Sequence, residues 1–333
     1  MYKDLGHVTL KTGERVQVGV VIGPDAEWAE RLEKLLGHKG DPWDWQNSQA
    51  LRSNLGIDVC FYVLHRQGVP FANILTAELA GVGHLGHVWT EPQDRQKGAS
   101  SSLMEIQMRD FRSRRGKALF LGTGFDTVPY HMYRKFGFNS VEPESGYMAW
   151  YAASKDEFEH DYFARAGTEI QPPHWVHWPS SAALFLGDFP CAVRCAPLRL
   201  IGRQSTEGPF LPLLRDAQRR QAVGEKPRAM VLCNAQTNAV VGFTAWGWHP
   251  LWEDICLVDV YCHPSYWDSA RELLSSLPLP GAERCVAYSE AGCRHKTAVL
   301  LDHGFKQSAT LKGRVPATRA KTSFLDLALF ERK

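Results

Sequence analysis

Several things are missing from this sequence, and each absence removes a class of protein. No segment approaches the roughly 18 apolar residues of a membrane span. Residues 1–16 interleave Lys3, Asp4, Lys11 and Glu14 with apolar side chains, so they lack the unbroken core of an export signal. Charge of one sign is missing as well: 38 Lys+Arg against 36 Asp+Glu leave a formal +2, too little for the phosphate-neutralising surface that nucleic-acid binding demands. The eight cysteines (Cys60, Cys191, Cys195, Cys233, Cys256, Cys262, Cys285 and Cys293) contain no C-x-x-C pair. Cys256, Cys262, His263, Cys285, Cys293 and His295 are metal-binding types without a metal-binding spacing, so no metal site is assigned. A chain of this kind is expected to be cytoplasmic, with its thiols reduced, and to have no nucleic-acid or membrane partner.

What remains is a globular composition. With 333 residues, 44% of them hydrophobic and 22% charged, the chain is long enough for about two domains, at roughly 100–200 residues each. Tryptophan is in excess, at 11 residues. Helical periods and β-branched runs alternate along the chain, which predicts an α/β or α+β architecture. A strand is predicted over 16–22, then a helix opened by Pro24 and Asp25, with Trp28, Leu32, Leu35 and Leu36 on one side and Gly37 at its end. A second helix is expected over 45–51. Residues 58–65 and 70–77, separated by Arg66, Gln67 and Gly68, form a hairpin pattern. A strand over 84–90 stops at Pro92, and a helix from Ala99 carries Met104, Met108 and Phe111 on one face. A short strand over 118–121 follows. Asp126 is expected to cap the next helix, which Gly137 closes.

Gly81, Gly83 and Gly86 spell G-x-G-x-x-G, but Val88, Trp89 and Thr90 continue as a strand, so the strand-then-helix context of a dinucleotide fingerprint is absent. The next turn is more informative. Between the strand ending at Thr90 and the helix beginning at Ala99 lie Arg95, Gln96, Lys97 and Gly98. A glycine-centred turn at a helix N-terminus aims several N–H groups at one point and can hold a phosphate or pyrophosphate. The alternative is an ordinary strand-to-helix turn with surface charges.

Taken with Tyr133, Gly137 and Phe138 further on, this segment resembles the GCN5-related N-acetyltransferase (GNAT) superfamily. Arg95, Gly98 and, with a departure to serine, Ser100 match its [R/Q]-x-x-G-x-[G/A] motif. Tyr133, Gly137 and Phe138 match its Y-x-x-x-G-F motif, with Asp126 in the place of an Asn. The resemblance covers about residues 8–151. It implies a mixed, mostly antiparallel sheet with flanking helices, and coenzyme A in a cleft where two parallel strands splay apart.

By position, the resemblance implies that the backbone at Val88 and Thr90 pairs with the pantetheine arm. Arg95, Gln96, Lys97, Gly98, Ala99 and Ser100, helped by Ser101, would hold the pyrophosphate, and Tyr133 would protonate the leaving thiolate. His84 stands at the place of the glutamate that many members use as general base; strict alternation puts it on the face of Val88 and Thr90, with His87 opposite. Glu91 and His131 are weaker candidates. The implied activity is transfer of an acetyl group from acetyl-CoA to a primary amine of a small molecule or peptide, by direct attack and without a metal. Rival readings are a GNAT-like acyl-CoA decarboxylase, a carrier-protein S-acyltransferase, and a non-catalytic acyl-CoA-binding protein.

The second half repeats the outline. Val88 and Pro92 match Val260 and Pro264, and Gly137-Phe138 matches Gly304-Phe305. At the functional positions, however, Arg95 has become Trp267, Gly98 has become Ala270 and Tyr133 has become Leu300. The expected organisation is a catalytic domain over 1–153, an aromatic and Pro-containing connecting segment over 154–198, and a degenerate GNAT-like domain over 199–333. Trp175, Trp178, Trp246, Trp248 and Trp252 are expected to be either interface anchors or the lining of an acceptor pocket.

Overall fold

The computed structural model describes all of residues 1–333. The chain forms two compact units, one made of Met1–Asn139 with Met148–Lys155 and the other of Ser140–Tyr147 with Asp156–Lys333.

Unit 1 is built on β1 (Tyr2–Thr9), β2 (Arg15–Ile22), β3 (Asp58–Arg66), β4 (Val69–Leu79), β5 (Val82–Thr90), β6 (Ala118–Gly122), β7 (Asn139–Ser140) and β8 (Tyr147–Tyr151). Their order in the sheet is β1-β2-β3-β4-β5-β6-β8-β7. The pairs from β1 to β5 are antiparallel, and β5 with β6 is parallel. Helices α1 (Ala26–Leu36) and α2 (Trp43–Arg52) precede β3; α3 (Ala99–Ser113) joins β5 to β6, and α4 (Val128–Lys135) follows. β1 is the element that residue pattern does not announce: it has no β-branched run and is defined by its ladder with β2.

Strand alternation sorts the side chains into two cores. One contains Tyr62, Leu64, Ala72, Ile74, Leu85, Leu119 and Leu121, packed with Leu103, Met104, Met108 and Phe111 of α3 and Tyr130 and Tyr133 of α4. On the opposite face Phe61, Val63, Leu75 and Ala77 are buried beneath α1, whose Trp28, Leu32 and Leu35 are also buried. The end of α3 is pinned by charge: Arg114 pairs with Glu78 at 2.8 Å and Asp110 at 2.9 Å, and Tyr62 donates its hydroxyl to Asp110 at 2.5 Å. Burial pushes the Glu78 carboxyl up, against the pull of Arg114.

One local expectation is corrected. Thr127, not Asp126, caps α4 by accepting the N–H of Tyr130, while Asp126 adopts φ +59 and ion-pairs with exposed His131 at 2.9 Å. The glycines of the apparent dinucleotide motif have structural duties. Ala80 and Gly81, with φ of +52 and +80, form the two-residue turn between β4 and β5. At Gly83 a Cβ would stand 2.0 Å from the carbonyl oxygen of Ala77.

Unit 2 runs through α5 (Lys155–Tyr162), β9 (Thr168–Gln171), α6 (His177–Leu186), β10 (Val193–Cys195), β11 (Leu200–Ile201), α7 (Phe210–Ala222), β12 (Ala229–Asn234), β13 (Val240–Trp248), β14 (Ile255–Cys262), α8 (Ala270–Ser275), β15 (Arg284–Glu290), α9 (Arg294–Asp302), β16 (Lys306–Pro316) and β17 (Phe324–Arg332). Its large sheet, read as β9-β12-β13-β14-β15-β17-β16, repeats the order β2-β3-β4-β5-β6-β8-β7 of unit 1, and β14 with β15 is again parallel. From Asp156 onward the Pro- and Trp-containing stretch belongs to this unit: β9 pairs with β12, and every residue of α6 is buried.

The thiols are not all free. Cys191 is joined to Cys293 by a disulfide, while the other six cysteines are free and buried. The two residues lie far apart in sequence and are brought together only by the fold, which is why spacing gives no sign of the bridge. No helix is long and apolar enough to cross a membrane.

Because the obstacle at Gly83 is backbone rather than a movable side chain, Gly83→Ala is expected to lower stability by about 3 kcal/mol, measured as a shift in the denaturant midpoint at unchanged slope.

Candidate active site in unit 1

The site begins where two strands part. β5 and β6 pair at Val82–Ala118, Gly83–Leu119 and His84–Phe120 and then separate. Beyond His84, β5 is partnered only by β4, so its inner edge opens into a wedge with unpaired backbone groups.

A bulge shapes that edge. β4 and β5 pair in one register as far as Leu75–Gly86 and in the next from Asn73–Trp89, leaving an extra residue at His87–Val88. His87 itself has φ +48. One inserted residue reverses the alternation. His84 therefore lies on the α1 and α2 face with Ala77, while Val88 and Thr90 lie on the face of α3 and α4. This corrects the expectation that His84 shares a face with Val88 and Thr90. His84 is wholly buried, on the last rung before the strands part. His87 is buried against α2, with Trp43 edge-on at 5.3 Å and Asn47 at 3.5 Å; burial holds its imidazole well below the ordinary value, so it is neutral.

On the other face the bulge brings predicted residues together. Val88 packs against the core that contains Tyr133, and Tyr133 meets Phe138 edge-on at 6.1 Å. Thr90 exchanges a hydrogen bond of 2.9 Å with Ser100. Asp126 and His131 are exposed at the start of α4 and pair with each other.

At the mouth of the wedge the chain turns through Gln96 at φ +65 and Gly98 at φ +88 into α3. Gly98 is the N-cap and offers no side chain, and the first backbone bond of the helix runs from Ser102 N to Gly98 O at 3.0 Å. The N–H groups of Ala99, Ser100 and Ser101 thus leave the helix end without intrahelical partners, at the positive pole of its dipole. The basic side chains brace this turn. Lys97 pairs with buried Asp94 at 3.0 Å, Arg66 bridges Asp94 and Glu14 at 2.9 and 2.6 Å, and Arg95 donates to Thr90 O with its guanidinium over Trp89. The hydrogen bond from Arg66 holds the Asp94 carboxyl below the usual carboxylate range. Sequence motifs do not reveal Arg66 or Glu14, because they reach the turn from β3 and the β1–β2 connection.

The five tryptophans divide between core and surface, and Trp248 and Trp252 line a cavity of about 460 Å³. Trp175 and Trp178 are buried core residues, and Trp246 is buried with its indole N–H on Pro278 O at 3.0 Å. Trp248 and Trp252 are half-exposed, with Trp252 stacked on His249 at 4.0 Å. The cysteines and histidines of the second half have other partners, and Glu290 lies beside Cys191 and Cys293, their ligand atoms within 4.8 Å of one another. His263 stacks on Phe163, His295 on Trp267, and Cys293 is bonded to Cys191.

No family model and no curated protein matches the chain. Solved structures resemble it over about half its length. An acetyltransferase of the GNAT family from Bacillus anthracis is 12% identical, with 50% of this chain and 96% of that chain covered, at a TM-score of 0.35. A ribosomal-protein-alanine N-acetyltransferase from Brucella melitensis is 18% identical, covering 49% and 98%, at 0.36. The PaiA N-acetyltransferase from Thermoplasma acidophilum, solved with coenzyme A, is 14% identical, covering 40% and 98%, at 0.31.

Arg66→Ala removes the main partner of Asp94 and is expected to cost roughly 1–2 kcal/mol, between a surface and a buried pair. The Asp94 contribution is present above its unfolded pKa and is lost as pH falls through its lower folded value. Acid unfolding of the variant, followed by circular dichroism, is therefore expected at higher pH than in the wild type.

Proposed function

We propose that the chain is an acyl-CoA-dependent acyltransferase of the GNAT type, which moves an acetyl group from acetyl-CoA to a primary amine of a small molecule or peptide at unit 1. The observation that carries this reading is the wedge between β5 and β6 with the uncapped, glycine-led start of α3 at its mouth. An extended amide-bearing arm can complete the free edge of β5 at Val88 and Thr90, while a pyrophosphate takes the N–H groups from Gln96 to Ser101. Those two needs are met together by the pantetheine and diphosphate of coenzyme A.

In this reading the neutral amine attacks the thioester carbonyl and forms the C–N bond, the C–S bond breaks as Tyr133 gives its phenolic proton to the departing thiolate, and the proton lost by the attacking nitrogen passes through solvent and restores the tyrosine. A phenol of pKa about 10 is suited to that transfer as negative charge develops on sulfur. Tyr133 stands in the α3 and α4 layer to which the bulge also turns Val88 and Thr90. His84, enclosed and facing the other layer, is assigned a structural role.

The test is titration with acetyl-CoA followed by release of free thiol in the presence of an amine panel. Binding with amine-dependent release is expected. Absence of acetyl-CoA binding would overturn the reading, and binding without release would favour a non-catalytic acyl-CoA-binding protein. Tyr133→Phe is expected to lower kcat by about 100-fold, in the range of general acid catalysis, with little change in acetyl-CoA affinity. Gly98→Val, which strains the left-handed turn and narrows the anion site, should weaken affinity about tenfold or more. His84→Gln should lower Tm and leave the shape of the pH–rate profile intact; loss of its acid limb would instead restore His84 as the base.

A further inference from the structure

Unit 2 has the same parting of strands, but its wedge is occupied. β14 and β15 pair at Ile255–Arg284, Cys256–Cys285 and Leu257–Val286 and then separate. Past that point β14 keeps β13 on its outer side and β15 keeps β17. Into the gap runs β10, packed against both strands.

Each charged group around the gap holds the backbone of this segment. Glu290, at the end of β15, accepts the N–H groups of Ala192 and Val193 at 2.5 and 3.2 Å. Asp259, on β14, accepts the N–H of Ala196 at 2.7 Å. Lys296, on α9, pairs with Asp259 at 2.5 Å and donates to Val193 O at 2.9 Å. These three side chains are at most 4% exposed, and charges so deeply buried require partners.

The side chains of the segment are equally committed. Val193 and Cys195 are buried, and Arg194 donates to the carbonyls of Leu184, Phe185, Gly187 and Phe189 around the C-terminus of α6, where the helix dipole favours a cation. Cys191 is bonded to Cys293, the N-cap of α9. The anion turn is lost too: Pro264–Ser269 form a 3-10 helix, and Ser269 enters α8 in the right-handed region.

We propose that segment 191–196 is a built-in occupant of the unit 2 wedge, lying where an extended ligand such as the pantetheine arm of an acyl-CoA would run, so that unit 2 is closed to acyl-CoA by its own chain. The peptide is the ligand of this site, and Asp259, Glu290 and Lys296 are its binding residues. The inference stands on unit 2 alone and does not rest on the reading of unit 1.

Hydrogen–deuterium exchange of the full-length, non-reduced chain, read by mass spectrometry with and without millimolar coenzyme A, tests it. Peptides covering 190–197 should exchange slowly in the free chain, and those covering 190–197, 255–262 and 284–296 should be unchanged by coenzyme A. Glu290→Ala should accelerate exchange at Ala192 and Val193 by about tenfold, from loss of two buried hydrogen bonds, while peptides of unit 1 stay as in the wild type. Should that variant fail to fold, Glu290→Gln, which keeps the shape and weakens the acceptor, should show a smaller acceleration at the same amides. The proposal is overturned if 190–197 exchanges in the wild type like an unstructured peptide, or if coenzyme A slows exchange in the β14 or β15 peptides. Coenzyme A protection over 88–101 bears only on the function proposed for unit 1.

Discussion

Two parallel strands that begin paired and then part leave backbone donors and acceptors facing a gap, and these groups must be satisfied. Both units contain such a parting pair of strands. In unit 1 the free edge of β5 opens toward the turn at the start of α3, where the N–H groups of Ala99, Ser100 and Ser101 have no intrahelical partners. In unit 2 the gap holds a segment of the chain itself: the carboxylates of Asp259 and Glu290 and the ammonium of Lys296 bind the backbone of residues 192–196. A shared sheet order thus leads to opposite outcomes, depending on what fills the space between two strands.

The surroundings of each wedge follow from its contents. In unit 1 Arg66 and Lys97 are tied to Asp94, so a charge network braces the turn ahead of α3. Unit 2 places its charges inside, where each is matched by an opposite charge or a peptide group, and closes the arrangement with a disulfide. Aromatic residues serve the core in both. The tryptophan excess is spent largely on packing, with Trp28, Trp150, Trp175, Trp178, Trp246 and Trp267 all buried.

Much of the fold is legible in local pattern. The hairpin of β3 and β4, the helix following Gly98, the capping of α1 by Asp25 and the closure of α4 by Gly137 all follow from residues acting on near neighbours, for which periodicity and turn chemistry are direct readouts. The face of His84 was not legible. A single inserted residue at His87 reverses strand parity, and no residue type marks it. Nor was the disulfide, whose partners are distant in sequence, nor the role of segment 191–196, which lacks the β-branched run of an ordinary strand and is defined by the side chains that grip it.

The amino-acid sequence by itself determined the mixed helix-and-strand architecture and the glycine turn ahead of α3, which depend on short-range steric and hydrogen-bonding preferences, and it carries the loss of that glycine and of the tyrosine in the second half. Only the tertiary structure decided which side of the sheet each candidate side chain occupies and whether each wedge is open or filled. Those properties depend on register and on charges brought together from distant segments, and neither register nor long-range pairing is encoded in any single stretch of chain.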